Sequence, residues 1–404
     1  MKVLQVNSVY NYGSTGKIVY DLHQGLLKNG HQSVVCYGRG ADINDEGVVR
    51  ICTELYSKLN NLRSRITGMM YGGFELSTKK LKEIIRKEKP DVVHLQCLNC
   101  FFLNIYEIVD WLKKNHINTV VTLHAEFMYT ANCGYALSCE KWRTGCGSCP
   151  RLRKETRSWF FDRTHRSFQK MKDAFDGFHD NLITVSVSPW LKNRAEQSPI
   201  LQGKQHVVIY NGIDTSVFCP NSAEELKEKY QLAGKKVLFH VTAKFSDDPS
   251  HIKGGVHIIE LAQRMKECVF LVAGKTDIHG QLPENIILLG SITNQSVLAQ
   301  YYSLADATIL TSKKETFSMP CAESLCCGTP IIGFEAGAPE MIALEQYSRF
   351  VKQGDLDALE SAVRDYLAAQ PFNKQTVGSA AKAVYSKEAM LQNYLQIYQQ
   401  LCKE

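Results

Sequence analysis

A chain of 404 residues, 44% hydrophobic and 22% charged, has the composition of a folded globular protein, and at roughly 100–200 residues per domain it predicts two domains. That length buries substantial cores without disulfides or metals, and no apolar run reaches the roughly 20 residues that cross a bilayer. The net charge of +6 is uneven: residues 1–210 hold 29 Lys+Arg against 19 Asp+Glu, a net of +10, and the remainder 18 against 22, a net of −4.

A basic first half suits anionic surfaces such as nucleic acid, phospholipid or a phosphorylated lipid, and equally suits a solubilising charge excess. The start Met1–Asn7 alternates as a strand does and lacks the long apolar core of a signal peptide, which predicts a cytoplasmic protein. Of the fourteen cysteines, Cys36, Cys52, Cys268, Cys321, Cys326 and Cys327 lie in apolar segments and read as small buried hydrophobes.

In chain order, Lys2–Asn7 predicts a strand, 16–29 a helix and 33–37 a second strand, with further strands at 91–95, 119–123, 182–187 and 207–210. Compact apolar runs separated by amphipathic helical stretches are the pattern of a parallel sheet covered on both faces. After the turn signal Asn211-Gly212 the pattern restarts, with strands at 236–241, 268–273, 286–289, 307–311 and 330–334 and a helix at 254–265. The expected fold is α/β, with two doubly wound Rossmann-like domains, 1–210 and 211–385, facing an interdomain cleft. A closing helix follows in 386–404, where Met390, Leu391, Tyr394, Ile397, Tyr398 and Leu401 recur at helical spacing. Ligands of such sheets bind beyond the carboxyl ends of the strands.

The segment from Lys314 to Pro330 concentrates the chemistry. Glu315 follows the strand 307–311, Pro320 fits the first turn of a helix and Gly328 its end. The amides around Phe317, Ser318 and Met319 then offer a positive helix end to a phosphate, while Glu315 and Glu323 can accept paired hydrogen bonds from vicinal hydroxyls. Two glutamates eight apart mean little alone; strand, Glu, Phe-Ser, helix, Glu and Cys-Gly-Thr-Pro together carry the signal. This segment resembles the E-x7-E donor motif of glycosyltransferase family 4, retaining enzymes of the GT-B fold. The resemblance implies that Glu315 contacts the transferred sugar and Glu323 the nucleoside ribose, with the amides of Phe317 and Ser318 holding the sugar or diphosphate. It also implies a structural role for Asp306.

Gly13-Ser14-Thr15-Gly16-Lys17 after the first strand reads as a flexible loop that can bring amides to anionic oxygen. It is not a Walker loop, because Ile18 stands where Ser or Thr should follow the lysine. Family 4 neutralises its leaving diphosphate with an Arg and a Lys-Gly unit. Here Lys253-Gly254 supplies the second, and Lys244 is the nearest candidate for the first, without the bidentate fork of arginine. His124, at the end of the strand 119–123, corresponds to a family histidine near the reacting sugar. The usual following Asp is Ala125, with Glu126 one step on.

Cys133, Cys139, Cys146 and Cys149 fall within 17 residues as C-x5-C-x6-C-x2-C, inside a Cys-rich, loop-like insert at about 130–165 that carries Gly134, Gly145 and Gly147. Four thiolates so spaced could close a structural zinc site, or they remain free or pair as disulfides. No cofactor is expected for catalysis. The stretch Thr122–Pro150 resembles a subgroup typified by colanic acid glycosyltransferases. That implies hexosyl transfer from a nucleotide sugar (UDP- or GDP-linked) to a lipid-diphosphate-linked oligosaccharide in surface polysaccharide (O-antigen, capsule or exopolysaccharide) synthesis.

Residues 151–172 interleave Arg151, Arg153, Lys154, Arg157, Arg163 and Arg166 with Trp159, Phe160 and Phe161, and Lys79–Lys89 is a second basic stretch. Both suit peripheral contact with the inner face of the cytoplasmic membrane, and both suit a solvated helix face. Two rival functions remain. A GT-B nucleotide-sugar epimerase would need catalytic carboxylates in the first domain. A basic, zinc-stapled nucleic-acid-binding protein would bind no sugar nucleotide, whereas the transferase reading expects no nucleic acid as partner.

Overall fold

Val3, Leu4 and Val6 are fully buried, which is why the chain opens as a strand flanked by layers on both faces. A computed structural model describes residues 1–403 and divides the chain into two units, Met1–Tyr210 with the segment from Met390 onward, and Asn211–Ala389. In the first, β1 (Lys2–Asn7), β2 (Gln32–Tyr37), β3 (Val48–Arg50), β4 (Val92–Leu95), β5 (Thr119–Leu123), β6 (Leu182–Ser186) and β7 (His206–Val208) form a parallel sheet ordered β3-β2-β1-β4-β5-β6-β7. In the second, β8 (Lys236–Ser246), β9 (Cys268–Asp277), β10 (Ile286–Gly290), β11 (Ala307–Leu310), β12 (Ile331–Phe334) and β13 (Ser348–Val351) are parallel in the order β10-β9-β8-β11-β12-β13.

Both orders reverse direction beside the first strand of the unit, between β1 and β4 and between β8 and β11. At such switch points the loops leaving neighbouring strands diverge and leave a crevice for ligand. In the second sheet, β8 and β11 are tied together at their amino ends, away from that crevice. Asp306 receives the Val237 amide on its carboxylate at 2.7 Å and returns its own amide to Val237 O at 2.8 Å, so its role is structural.

The closing helix, Lys387–Lys403, packs its Met390, Leu391, Tyr394 and Tyr398 into the core of the first unit with Val3, Leu22 and Val120. The Tyr394 and Tyr398 hydroxyls reach Thr122 Oγ1 at 2.9 Å and His94 Nδ1 at 2.7 Å. The chain therefore returns to its first domain at the end; the closing element is part of that domain rather than a separate one. The second unit has its own core around Leu238, Phe270, Ile309, Ile332 and Val363.

Candidate active site

Lys253 and Glu315 come from the two loops that flank the β8/β11 switch point. Lys253 Nζ donates to Glu315 Oε1 at 2.7 Å, with side-chain exposures of 29% and 13%. The backbone makes this approach possible. Gly254 has φ +65°, and a Cβ there would be driven into the Thr311 carbonyl oxygen, while one on Gly255 would come within 2.6 Å of Ser246 O. Only glycine lets the loop pass so close to β8 and β11. On the other side, Glu315 pairs its backbone with the Ala336–Ala338 turn, its amide donating to Ala336 O at 2.9 Å. Glu340 holds that turn by accepting the amides of Ala336 at 2.9 Å and Gly337 at 2.7 Å.

Just beyond Glu315, Ser318 precedes the helix Met319–Cys326 at φ +85° and ψ +86°, with Pro320 in the first turn and no side-chain cap. A non-glycine residue in this region is strained, and such strain concentrates at functional sites. Phe317 is buried and anchors the turn. Glu323 lies one turn into the helix and accepts a hydrogen bond from the buried Tyr302 hydroxyl at 3.0 Å. The tyrosine pKa is pushed well up by burial and by the Glu323 charge, so it stays a donor.

Lys244 is the other candidate cation for the diphosphate. It lies in the part of β8 that pairs with β9, and its ammonium is engaged by Asp277 at 2.5 Å rather than by either glutamate. That hydrogen bond, with the lysine charge, holds the Asp277 carboxyl below its usual range. His240 was not legible as a site residue. Buried in β8, it shares Nδ1 with Ile309 O at 2.9 Å, and burial followed by the Lys253 charge lowers its pKa to about 4 against the opposing pull of that carbonyl.

In the first unit, Gly13-Ser14-Thr15-Gly16 is not a loop but the first turn of the helix Gly13–Lys28, which has no side-chain cap at Tyr12. Gly13 at φ +63° starts the turn directly, and Gly16 packs where a Cβ would sit 3.1 Å from Val9 Cγ2. His124 Nε2 lies 3.3 Å from Gln96 Oε1, and burial lowers its pKa to about 4. Glu126 is not available as the missing carboxylate. It is fully buried, with Arg194 Nε at 2.8 Å, the Ala136 amide at 2.7 Å and the Tyr129 hydroxyl all directed at it. Arg194 in turn stacks over Trp142 at 4.6 Å and Trp190 at 5.1 Å, so this network braces the cysteine-rich insert.

Cys133, Cys139, Cys146 and Cys149 are free thiols, and among the described residues no three or more Cys, His, Asp or Glu side chains group as a metal-ion set. The four are close enough to influence one another. Burial first, then Cys139 and Cys149, push the Cys146 thiol up to about 12, against the pull of an Asn132 hydrogen bond, and its Sγ points to Thr130 O at 3.5 Å.

Two parallel doubly wound units, with a carboxylate–ammonium pair at the switch point of the second, have the architecture of the GT-B fold. The profile of Glycosyltransferase Family 4 matches residues 15–217 and that of Glycosyl transferases group 1 matches residues 250–369; the chain belongs to glycosyltransferase family 4. It is 23% identical to WcaC of Escherichia coli K12, named as a colanic acid biosynthesis glycosyl transferase, over 99% of this chain and 100% of that one. Among solved structures it is similar to the sucrose-phosphate synthase of Thermosynechococcus elongatus, with TM-score 0.67 and 17% identity over 99% of both chains. It is also similar to Anabaena HepE in complex with UDP, with TM-score 0.65 and 13% identity over 99% of this chain and 100% of that one.

Proposed function

We propose that this glycosyltransferase moves a hexosyl unit, with retention at the anomeric carbon, from a UDP- or GDP-linked sugar to a lipid-diphosphate-linked oligosaccharide during synthesis of a bacterial surface polysaccharide. The observation that carries the donor half is the 2.7 Å contact of Lys253 with Glu315 at the β8/β11 switch point. HepE binds UDP, which supports a nucleotide-sugar donor, and the name of WcaC supports the polysaccharide setting.

In this reading Glu315 accepts hydrogen bonds from sugar hydroxyls and Glu323, oriented by Tyr302, accepts those of the ribose. Lys253, already drawn to Glu315, counters the charge that grows on the diphosphate as the anomeric C–O bond breaks. The amides of the strained Phe317–Met319 turn, and those of the uncapped Gly13–Gly16 turn, are further partners for anionic oxygen. Retention follows if the acceptor hydroxyl attacks the face the diphosphate leaves and gives its proton to the departing phosphate oxygen, so no strong protein base is needed. This agrees with Glu126 being committed to Arg194. No helix among the described residues is long and apolar enough to cross a membrane, and the proposed setting is the inner face of the cytoplasmic membrane.

Product analysis tests this reading. The chain is incubated with UDP- and GDP-hexoses and a short-chain lipid-diphosphate saccharide, and the product's anomeric configuration is read by NMR. An α-linked product from an α-linked donor is expected; an inverted linkage, or turnover of none of the donors, would refute it.

A further inference from the structure

The helix Glu54–Thr67 is built inside out. Its buried residues are Ser57, Asn60 and Ser64, while Leu55, Leu59, Leu62 and Ile66 are exposed, Leu55 at 67%. These four recur at intervals of four, three and four residues, which places them on one face of the helix. An apolar face turned outward, with a polar face turned inward, reverses what burial in the protein's own core would select.

The apolar surface extends beyond the helix. The following turn brings Phe74 and Leu76 alongside, Leu76 being 70% exposed. Tyr56 Oη donates to Phe74 O at 2.6 Å, and Leu59, Phe74 and Leu76 line one shared groove of about 490 Å³. At the other end the segment Ser158–Phe161 is tied to the helix: the Trp159 amide donates to Arg65 O at 2.8 Å. A Cβ at Gly68 would strike the Phe161 carbonyl oxygen. Trp159, Phe160 and Phe161 are themselves exposed, Phe160 at 68%. Such a contiguous apolar patch marks an interaction site.

Charge identifies the occupant. Arg63 lies over the Phe74 ring at 5.1 Å and Arg163 over Phe161 at 5.0 Å. Arg153, Lys154 and Arg157 are exposed on the approach to the aromatic triplet. The 640 Å³ cavity beside the helix balances Arg63, Arg163, Arg166 and Lys170 with Glu75, Glu107, Asp110 and Asp173, so the net positive charge lies at the exposed Arg153, Lys154 and Arg157 beside the aromatic triplet. The two basic stretches noted in the sequence differ here. In the Leu76–Glu88 helix, Lys79 pairs with Glu75, Lys82 with Glu107, and Lys80 donates to Arg50 O, so part of its charge is used internally. A second copy of this chain would bring like charge against like. An amphipathic helix of 14 residues is too short to span a bilayer but suits its surface.

We infer that the outward apolar face of Glu54–Thr67, with Phe74, Leu76 and the Trp159–Phe161 triplet, seats this protein on an anionic phospholipid bilayer, the flanking arginines and lysines reading its headgroups. The inference rests on the proposed membrane-linked acceptor and makes that reading specific.

The test is flotation of the full chain with vesicles of phosphatidylglycerol and phosphatidylethanolamine, against phosphatidylcholine alone. Variants are L59S/L62S/I66S, W159S/F160S and R157E. Binding to anionic vesicles and not to phosphatidylcholine is expected. The triple variant is expected to lose about tenfold or more of its partitioning, R157E less, and Trp159 emission to shift to the blue on binding. Calorimetric melting of the first unit, which carries all these substitutions, is measured alongside and shows that each variant is folded, and UDP- or GDP-sugar titration reports the second unit separately. Sugar binding without vesicle binding in the wild type would overturn the docking surface while leaving the donor site standing; vesicle binding without sugar binding would do the reverse. Unchanged partitioning of the triple variant would overturn the inference, as would self-association of the wild type that this variant abolishes in the absence of vesicle binding.

Discussion

Replacing Lys253 by methionine keeps the length of the side chain and removes its charge. Lys253 and Glu315 are both mostly withdrawn from water, at 29% and 13% exposure, and lie 2.7 Å apart, so their interaction is stronger than that of a surface pair. In the proposed mechanism the ammonium meets charge that develops on the leaving diphosphate. Removing one such preorganised donor costs about 3–4 kcal/mol of transition-state stabilisation, or ~10²–10³ in kcat. The donor ground state is affected less, because the diphosphate is already charged when bound; KM is expected to rise about tenfold or less. Lys253→Arg, which restores the charge, should recover most of the rate. The assay is release of the nucleoside diphosphate under saturating donor and acceptor. A Lys253→Met enzyme whose kcat stays within about threefold of wild type would refute the assignment of this lysine to the leaving group.

Other consequences follow from the same geometry. Gly254→Ala would force a Cβ into the Thr311 carbonyl and displace Lys253; donor affinity should fall while the first unit's melting is unchanged, as read by calorimetry. Arg194→Met would leave the buried Glu126 carboxylate without its cation, destabilising the first unit by about 3–5 kcal/mol. The double variant with Glu126→Gln should recover part of that loss in a urea melt, and no recovery would count against the network. Acid should destabilise the fold early. Burial holds His94 and His206 down to about 3 and His124 and His240 down to about 4, below the usual 6.5, so the unfolded chain binds more protons between pH 6.5 and 4. Stability is full above that window and lost as pH falls through it, about 2 kcal/mol for each histidine between pH 7 and 5. A urea midpoint that does not move between those pH values would contradict this.

Much of the fold was legible because the central strands are short apolar runs. Lys2–Asn7 and Thr119–Leu123 occur as expected, since burial on both faces leaves no polar alternation to confuse them. The edge strands Val48–Arg50 and Ser348–Val351 escaped notice because they are three or four residues long and only partly buried. Glycine signals both loops and a helix start at positive φ, so the sequence predicts a loop at Gly13–Gly16 where the structure has the first turn of a helix. Lys244 meets Asp277 through the pairing of β8 with β9, a neighbour that distance along the chain does not reveal. Tyr302 and Arg194 meet their glutamates across 21 and 68 residues of sequence, and only the folded sheet brings such partners together. The inverted Glu54–Thr67 helix shows the same limit from the other side, because apolar spacing identifies a face and not what covers it.

If Glu323 belongs to a nucleotide-sugar donor site, calorimetric titration of UDP- and GDP-sugars into the wild-type chain and Glu323→Ala will distinguish the two proteins. A carboxylate accepting the ribose hydroxyls contributes about 1.5–3 kcal/mol, so saturable binding of at least one donor by the wild type is expected, with a Kd roughly 10–100-fold weaker in the variant. Binding of equal strength by both proteins, or binding of no donor by the wild type, would contradict it.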